Sequence, residues 1–185
     1  MEFLVRECVP GDERALSHVG RATILETYAG TSLNTDLYSY VETELSPESF
    51  RSLIVGDRSC AWIAEARPGN CAVGYALVRC GNTGRPFATS ELERLYLFHR
   101  FHRLGLGKRL MDRILAHAVA HKTSAMSLRV NTQNASAIGF YERYGFSVIA
   151  EEPFRAGSHD YRVCVMRLAL AEQRSDRTNN LQQYP

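Results

Sequence analysis

The 185-residue chain contains no apolar run approaching the roughly 18 residues that a membrane-spanning helix needs. Its first residues, Met-Glu-Phe-Leu-Val-Arg-Glu, lack the basic start and long apolar stretch of an export signal, so a cytoplasmic location is expected. Charge of one sign is also scarce. Twenty-two Lys and Arg against 20 Asp and Glu leave +2, too little to imply a nucleic-acid or membrane partner. The five cysteines (Cys8, Cys60, Cys71, Cys80, Cys164) are scattered, odd in number and without a Cys-x-x-Cys pair. They read as free thiols in a reducing compartment rather than as disulfides or zinc ligands. No internal repeat or second domain is visible. Residues 1–170 read as one domain and 171–185, poor in apolar side chains, as a polar tail.

What is present is an alternation of short strands and amphipathic helices. Residues 3–8 suit a first strand. Leu16, Val19, Ile24 and Tyr28 fall on one helical face that ends near Gly30, and Thr35-Asp36 suits the cap of a helix carrying Leu37, Tyr40, Val41 and Leu45. Ser46-Pro47-Glu48 is a further helix-start signature, with Phe50, Leu53 and Ile54 on its apolar side. Cys60–Ala66 and Cys71–Val78 read as a hairpin closed by a type II turn at Arg67-Pro-Gly-Asn70, followed by a mobile loop from Cys80 to Pro86. The expected order is β-α-α-β-β-β-α-β-α-β-β, which suits a single mixed sheet with helices on both faces.

The central segment, Glu91-Leu-Glu-Arg-Leu-Tyr-Leu97, is a strand that runs through Phe98–Arg103 into Leu104-Gly-Leu-Gly-Lys108 and an amphipathic helix. Glycines at a helix start let a ligand approach backbone N–H groups that have no partner in the helix. With the helix dipole and the charges of Arg103, Lys108 and Arg109, this predicts a pyrophosphate cradle. The Walker spacing is absent, and Leu110 stands where a dinucleotide-binding loop needs its third glycine. Downstream, Val130-Asn-Thr-Gln-Asn-Ala-Ser-Ala-Ile-Gly-Phe-Tyr-Glu-Arg-Tyr-Gly-Phe146 reads as a strand end, an Asn-bearing loop and a short helix, Ala135–Tyr144, closed by Gly145.

Those two segments together resemble the acyl-CoA-binding core of the GNAT superfamily of N-acyltransferases. The family's Arg/Gln-x-x-Gly-x-Gly/Ala corresponds to His102-x-x-Gly105-x-Gly107; Asn131-x-x-Asn134-x-x-Ala137 and Tyr141-x-x-x-Gly145-Phe146 supply the rest. The resemblance spans about residues 3–168. His102 departs from the usual Arg/Gln, and Arg103 stands where Gly is common. The likeness implies a GNAT fold: a single mixed, mostly antiparallel seven-stranded sheet whose strands ending at Leu97 and Val130 splay apart to admit a pantetheine arm. It implies acetyl-CoA as co-substrate, contacted by Leu95, Tyr96, Leu97, His102, Arg103, Leu104, Gly105, Leu106, Gly107, Lys108, Asn131, Asn134, Ala137 and Tyr141. The backbone N–H near Leu97 is expected to polarise the thioester, and Tyr141 to protonate the leaving thiolate.

Several alternatives remain open on the residues themselves. Tyr141 also reads as a core aromatic, and Asn131 and Asn134 as turn and cap residues. The base is Glu93, with Glu91 on the same side of the strand, or water. His117 and His121, four apart on a helix, could hold a metal, but no third ligand is evident in sequence, so they read as a solvated face; His99 and His102 likewise lack neighbouring ligands. Glu91–Leu97 with Gly105–Lys108, Thr27-Tyr28 and Phe154-Arg-Ala-Gly157 with Val165-Met166 resemble a bacterial branch containing diamine and spermidine/spermine acetyltransferases. That favours a small polyamine-like amine acceptor, drawn in by Glu26, Asp36, Glu42, Glu44, Glu91 and Glu93. Alternatives are a protein or peptide amine, an aminoglycoside, or a non-catalytic acetyl-CoA-binding regulatory module. The sequence leaves a homodimer open.

Overall fold

The computed structural model describes residues 1–28, 35–56, 58–81, 89–156 and 159–170. Seven strands, β1 (Glu2–Glu7), β2 (Ser59–Arg67), β3 (Cys71–Cys80), β4 (Thr89–Leu97), β5 (Ala125–Asn131), β6 (Ser147–Ala156) and β7 (His159–Ala169), form one sheet in the order β1-β2-β3-β4-β5-β7-β6. Neighbouring strands are antiparallel except β4 and β5, which are parallel. Helices α1 (Glu13–Tyr28), α2 (Thr35–Thr43) and α3 (Pro47–Val55) follow β1; α4 (Leu106–Ala120) joins β4 to β5, and α5 (Ala135–Glu142) joins β5 to β6. The mixed, mostly antiparallel seven-stranded sheet expected from sequence is present. It carries one helix more before β2 than the expected order, because the Ser46 signature starts a helix of its own. The expected helix end near Gly30, most of the loop to Pro86 and the tail after Leu170 lie outside the described residues.

Both faces of the sheet are covered, so the central strands are apolar on both sides. On β2, Cys60, Trp62 and Ala64 face α4, while Ala61 and Ile63 face the layer of α1, α2 and α3. On β3, Ala76 and Val78 take the first side and Tyr75 and Leu77 the second. Leu106, Leu110, Met111, Ile114 and Ala118 form the buried stripe of α4, and Val119 is only half-buried beside Ala118. Local chemistry sets the element ends. Ser46 Oγ accepts the Ser49 N–H at 3.1 Å, with Pro47 at the first helical position. The hairpin turn has the positive φ of 97° that a type II turn wants at Gly69, but the Arg67–Pro68 bond is cis and Asn70 is also left-handed, so it departs from that type.

Two features position the site. Arg6 on β1 pairs with Asp12 at 2.7 Å and with Glu65 on β2 at 2.6 Å, fixing the start of α1 against the sheet edge. The parallel pairing of β4 with β5 runs from Thr89↔Ala125 to Leu92↔Leu128 and stops there. Beyond it the two strands separate, and among the described residues Glu93–Leu97 pair with no strand on that side.

Candidate active site

The wedge between the separated strands is shaped first by backbone. Phe98 donates its N–H to Val73 at 3.0 Å, so β4 presents Phe98 and, by strand alternation, Tyr96 toward β3. Leu95 and Leu97 therefore turn their amides into the gap. Gly74 permits this close pairing. A Cβ there would overlap the Leu97 side chain and lie 2.7 Å from the Tyr96 carbonyl oxygen. A glycine inside an apolar strand carries no motif, so the role of Gly74 is not legible in the sequence.

At the mouth of the gap, α4 begins from Gly105, held at φ 79°, after Arg103 at φ 61°. The first helical bond is Arg109 N–H to Gly105 O at 3.0 Å, so the amides of Leu106, Gly107 and Lys108 have no acceptor within the helix. They face outward with the positive end of the dipole. A Cβ built on Gly105 meets nothing within 4 Å, and one on Gly107 only Leu97 and Phe140 atoms at 3.6 Å or more, so the space ahead is open.

A cleft of about 810 Å³ fills that space. Of the residues expected at the coenzyme site, Leu95, Tyr96, Leu97, His102, Arg103, Gly105, Gly107, Lys108, Asn131, Asn134, Ala137 and Tyr141 line it. Leu104 and Leu106 do not. Leu104 is exposed and Leu106 is packed in the core, so only their backbones are available. Arg109 is also drawn away, since its Nη1 donates to Phe3 O on β1 at 3.0 Å. The Lys108 ammonium is held by Asp112 at 2.7 Å, and His102 Nε2 lies 3.0 Å from Leu97 O. Arg143, not singled out from sequence, joins Arg103 and Lys108 on the lining. Its signal is its place on the same turn as Tyr141 and Tyr144.

The second motif does what its cap chemistry dictates. Asn134 Oδ1 accepts the Ala137 N–H at 3.1 Å, and Asn131 Oδ1 accepts the Gln133 N–H at 2.8 Å. Gly145 adopts φ 89° just past α5, which ends two residues before the expected Tyr144. Tyr141 is buried between Phe140 and Phe146 yet reaches the cleft. Burial, and then the nearby Tyr28, push its phenol well above the ordinary value, so it stays protonated at neutral pH.

A smaller cavity of about 60 Å³ continues inward from the cleft, sharing Tyr28 and Tyr141 and adding Glu93, Arg94 and Arg129. Glu93 sits at a bulge, because Leu77 pairs with Arg94 and Val78 with Leu92. It is bridged to Arg79 at 2.6 Å. Glu91 lies outside this cavity and is bridged to Arg129 at 2.6 Å. Glu26 accepts the His99 N–H at 2.8 Å. Arg94 rests over Phe50, 5.5 Å from its ring centre, and its buried Nη1 has no hydrogen-bond partner among the described residues. Neither Arg94 nor Tyr28 was marked from sequence as a site residue, since both read as ordinary members of a strand and a helix face.

Comparison with known proteins agrees with this fold. The solved structure of the PaiA N-acetyltransferase from Thermoplasma acidophilum in complex with coenzyme A matches with a TM-score of 0.75 at 24% identity, over 92% of this chain and 100% of that one. NAA60 of Arabidopsis thaliana in complex with acetyl-CoA matches with a TM-score of 0.72 at 13% identity, over 91% and 99%. In sequence, an uncharacterized N-acetyltransferase of Mycobacterium tuberculosis is 32% identical over 128 residues, 69% of this chain and 78% of its own length. The N-acetylaspartate synthetase of Rattus norvegicus is 28% identical over 166 residues, 89% of this chain but 48% of that protein. Residues 24–168, most of the sheet and both motifs included, match the family described as the acetyltransferase (GNAT) domain. The chain belongs to the GNAT family of acetyl-CoA-dependent N-acetyltransferases.

Proposed function

We propose that the chain transfers the acetyl group of acetyl-CoA to the primary amine of a small acceptor by direct attack within a ternary complex. The observation that carries this is the gap between β4 and β5, with the Leu95 and Leu97 amides on one wall, Tyr141 on the other and the open start of α4 at its mouth. The coenzyme's pyrophosphate rests on the amides from Gly105 to Lys108, flanked by Arg103 and Arg143. Asn131, Asn134 and Ala137 hold the pantetheine side. The acceptor nitrogen attacks the thioester carbon, forming the C–N bond while the carbonyl oxygen takes the negative charge and is held by the Leu97 N–H. The nitrogen gives up its proton to Glu93, directly or through a water. Collapse breaks the C–S bond, and the departing thiolate takes the Tyr141 proton. Glu93 is preferred to Glu91 as base because it lines the inner cavity.

For the acceptor, the polyamine reading draws on Glu26, Asp36, Glu42, Glu44, Glu91 and Glu93; the Asp36 side chain lies outside the described residues. Glu91 and Glu93 are each paired with an arginine, and Glu42 and Glu44 are exposed at the end of α2. A second reading is favoured by Arg94, whose unpartnered buried nitrogen lies at the inner cavity beside Arg129. It takes an acceptor with a carboxylate close to its amine, an amino acid or a peptide end, and it matches the cavity's charge better. Similarity to an N-acetylaspartate synthetase supports it. The deciding experiment follows acetyl-CoA consumption with spermidine and diamines, acidic and neutral amino acids, peptides and aminoglycosides. Turnover confined to polyamines would remove the carboxylate reading. Tight acetyl-CoA binding with no turnover on any acceptor would make the chain a regulatory module.

A further inference from the structure

At the far end of α4 from the acetyl cleft, the fold assembles a group that the sequence did not bring together. Cys80 ends β3 and is 7% exposed; His117 lies in the last turn of α4, and His121 follows it. The Cys80 thiol sulfur and one ring nitrogen of each histidine all lie within 4.8 Å of one another. A tetrahedral zinc ion bound through sulfur at roughly 2.3 Å and nitrogen at roughly 2.0–2.1 Å holds its ligand atoms about 3.3–3.6 Å apart. Side-chain rotation of about an ångström closes that difference.

The surroundings are those of a ligand set. His121 Nδ1 sits 2.9 Å from the His117 carbonyl oxygen, an N–H donation that orients the ring and leaves Nε2 with its lone pair outward. The two imidazole rings lie 4.0 Å apart, and His117 also meets the edge of Trp62 at 5.2 Å. The last carbonyls of α4 put the negative end of its dipole at this spot, which favours a cation. Glu7 on β1, whose Oε1 accepts the Cys60 S–H at 3.0 Å, adds a carboxylate beside the group.

We infer that Cys80, His117 and His121 form a site for a zinc-class divalent cation, with water in the fourth position. The ion clasps the end of β3 to the end of α4. Fifteen helical residues at about 1.5 Å each place it roughly 20 Å from the start of α4, so it is structural and takes no part in acetyl transfer.

Trp62 is the sole tryptophan of the chain and stands against His117, which gives the test an internal reporter. Protein freed of metal with a chelator is titrated with Co²⁺, following Trp62 fluorescence, the thiolate-to-cobalt charge-transfer band and the visible bands of tetrahedral cobalt. One equivalent is expected to bind with a dissociation constant of about 1 μM or tighter. It should quench Trp62, and Zn²⁺ should displace it. Cys80→Ser should remove the charge-transfer band, His121→Ala, at an exposed position, should weaken binding at least tenfold, and Cys164→Ser should change neither. Absence of stoichiometric binding overturns the inference, as does a charge-transfer band that survives in folded Cys80→Ser or an affinity indifferent to His121→Ala.

Discussion

Tyr141 lines both cavities, and its neighbours determine what its phenol can do. Phe140, Phe146 and burial hold the phenol in its protonated form, able to give a proton to a thiolate and poor at taking one. Tyr141→Phe keeps the ring and its packing, so we expect kcat to fall about 10²-fold while acetyl-CoA affinity is nearly unchanged. Steady-state kinetics with a direct measurement of coenzyme binding separates the two effects, and full turnover in the Phe variant would leave Tyr141 as packing only. Because its pKa is raised, the phenol should contribute no descending limb to the activity profile near pH 10, where an ordinary tyrosine ionises. Gly107 makes the complementary case. Its missing side chain leaves open space rather than avoiding a clash, so Gly107→Val should fold yet bind acetyl-CoA at least tenfold more weakly, a loss of about 1.4 kcal/mol measurable by calorimetry.

Strand β4 answers to two partners at once, pairing with β3 along its length and with β5 for four residues only. Gly74 is where the first pairing comes closest. Gly74→Ala sets a methyl group against the Tyr96 carbonyl and the Leu97 side chain, and backbone on a strand yields little. We expect a stability loss of roughly 1–3 kcal/mol in denaturant unfolding, together with weaker coenzyme binding, because the Leu97 end of the strand must shift. Unchanged stability and affinity would mean that β4 is free to move there. This dependence was not legible in the sequence, whereas the glycines before α4 and the Asn134 cap were. Gly105 and Asn134 act through bonds to residues within four positions, so their spacing records their role. Gly74 acts on Leu97, and Cys80 on His117, through register and layer packing that no local pattern encodes. Arg109 was misplaced for a related reason: its position near the glycines suggested an anion, but its rotation about α4 delivers it to Phe3 on β1.

Across the molecule, the edge at β1 is secured by charge as well as by ladder bonds. Arg6 bridges Asp12 and Glu65, and its hydrogen bond lowers the Asp12 carboxyl below its ordinary value of 3.8. A carboxylate stabilised in the folded state contributes fully above its unfolded pKa and loses that contribution as pH falls through its lower folded value. The bridge should therefore support the fold at neutral pH and fail on acidification below about pH 4. Asp12→Asn should cost about 1–2 kcal/mol in urea unfolding at pH 7. The difference from wild type should shrink at pH 3, and a constant difference would mean that the pair carries no such linkage. No helix among the described residues is long and apolar enough to cross a membrane.

The early end of the β4–β5 ladder gives the sheet a pair of interior rims in addition to its two outer borders. Outer borders must be guarded, because any extended peptide can add to them. The interior rims are guarded by their own narrowness, since the wedge is closed at Leu92 and widens only toward Leu97. What enters must be thin and must answer backbone amides with amides of its own. A slender carrier with peptide-like groups meets that demand, and a simple alkyl thioester does not. In the proposed coenzyme pose the wedge reads the donor largely through main chain, so exchanging Leu95 or Leu97 for another aliphatic residue is expected to leave donor choice intact, whereas a change that alters the course of the strand is expected to erase it.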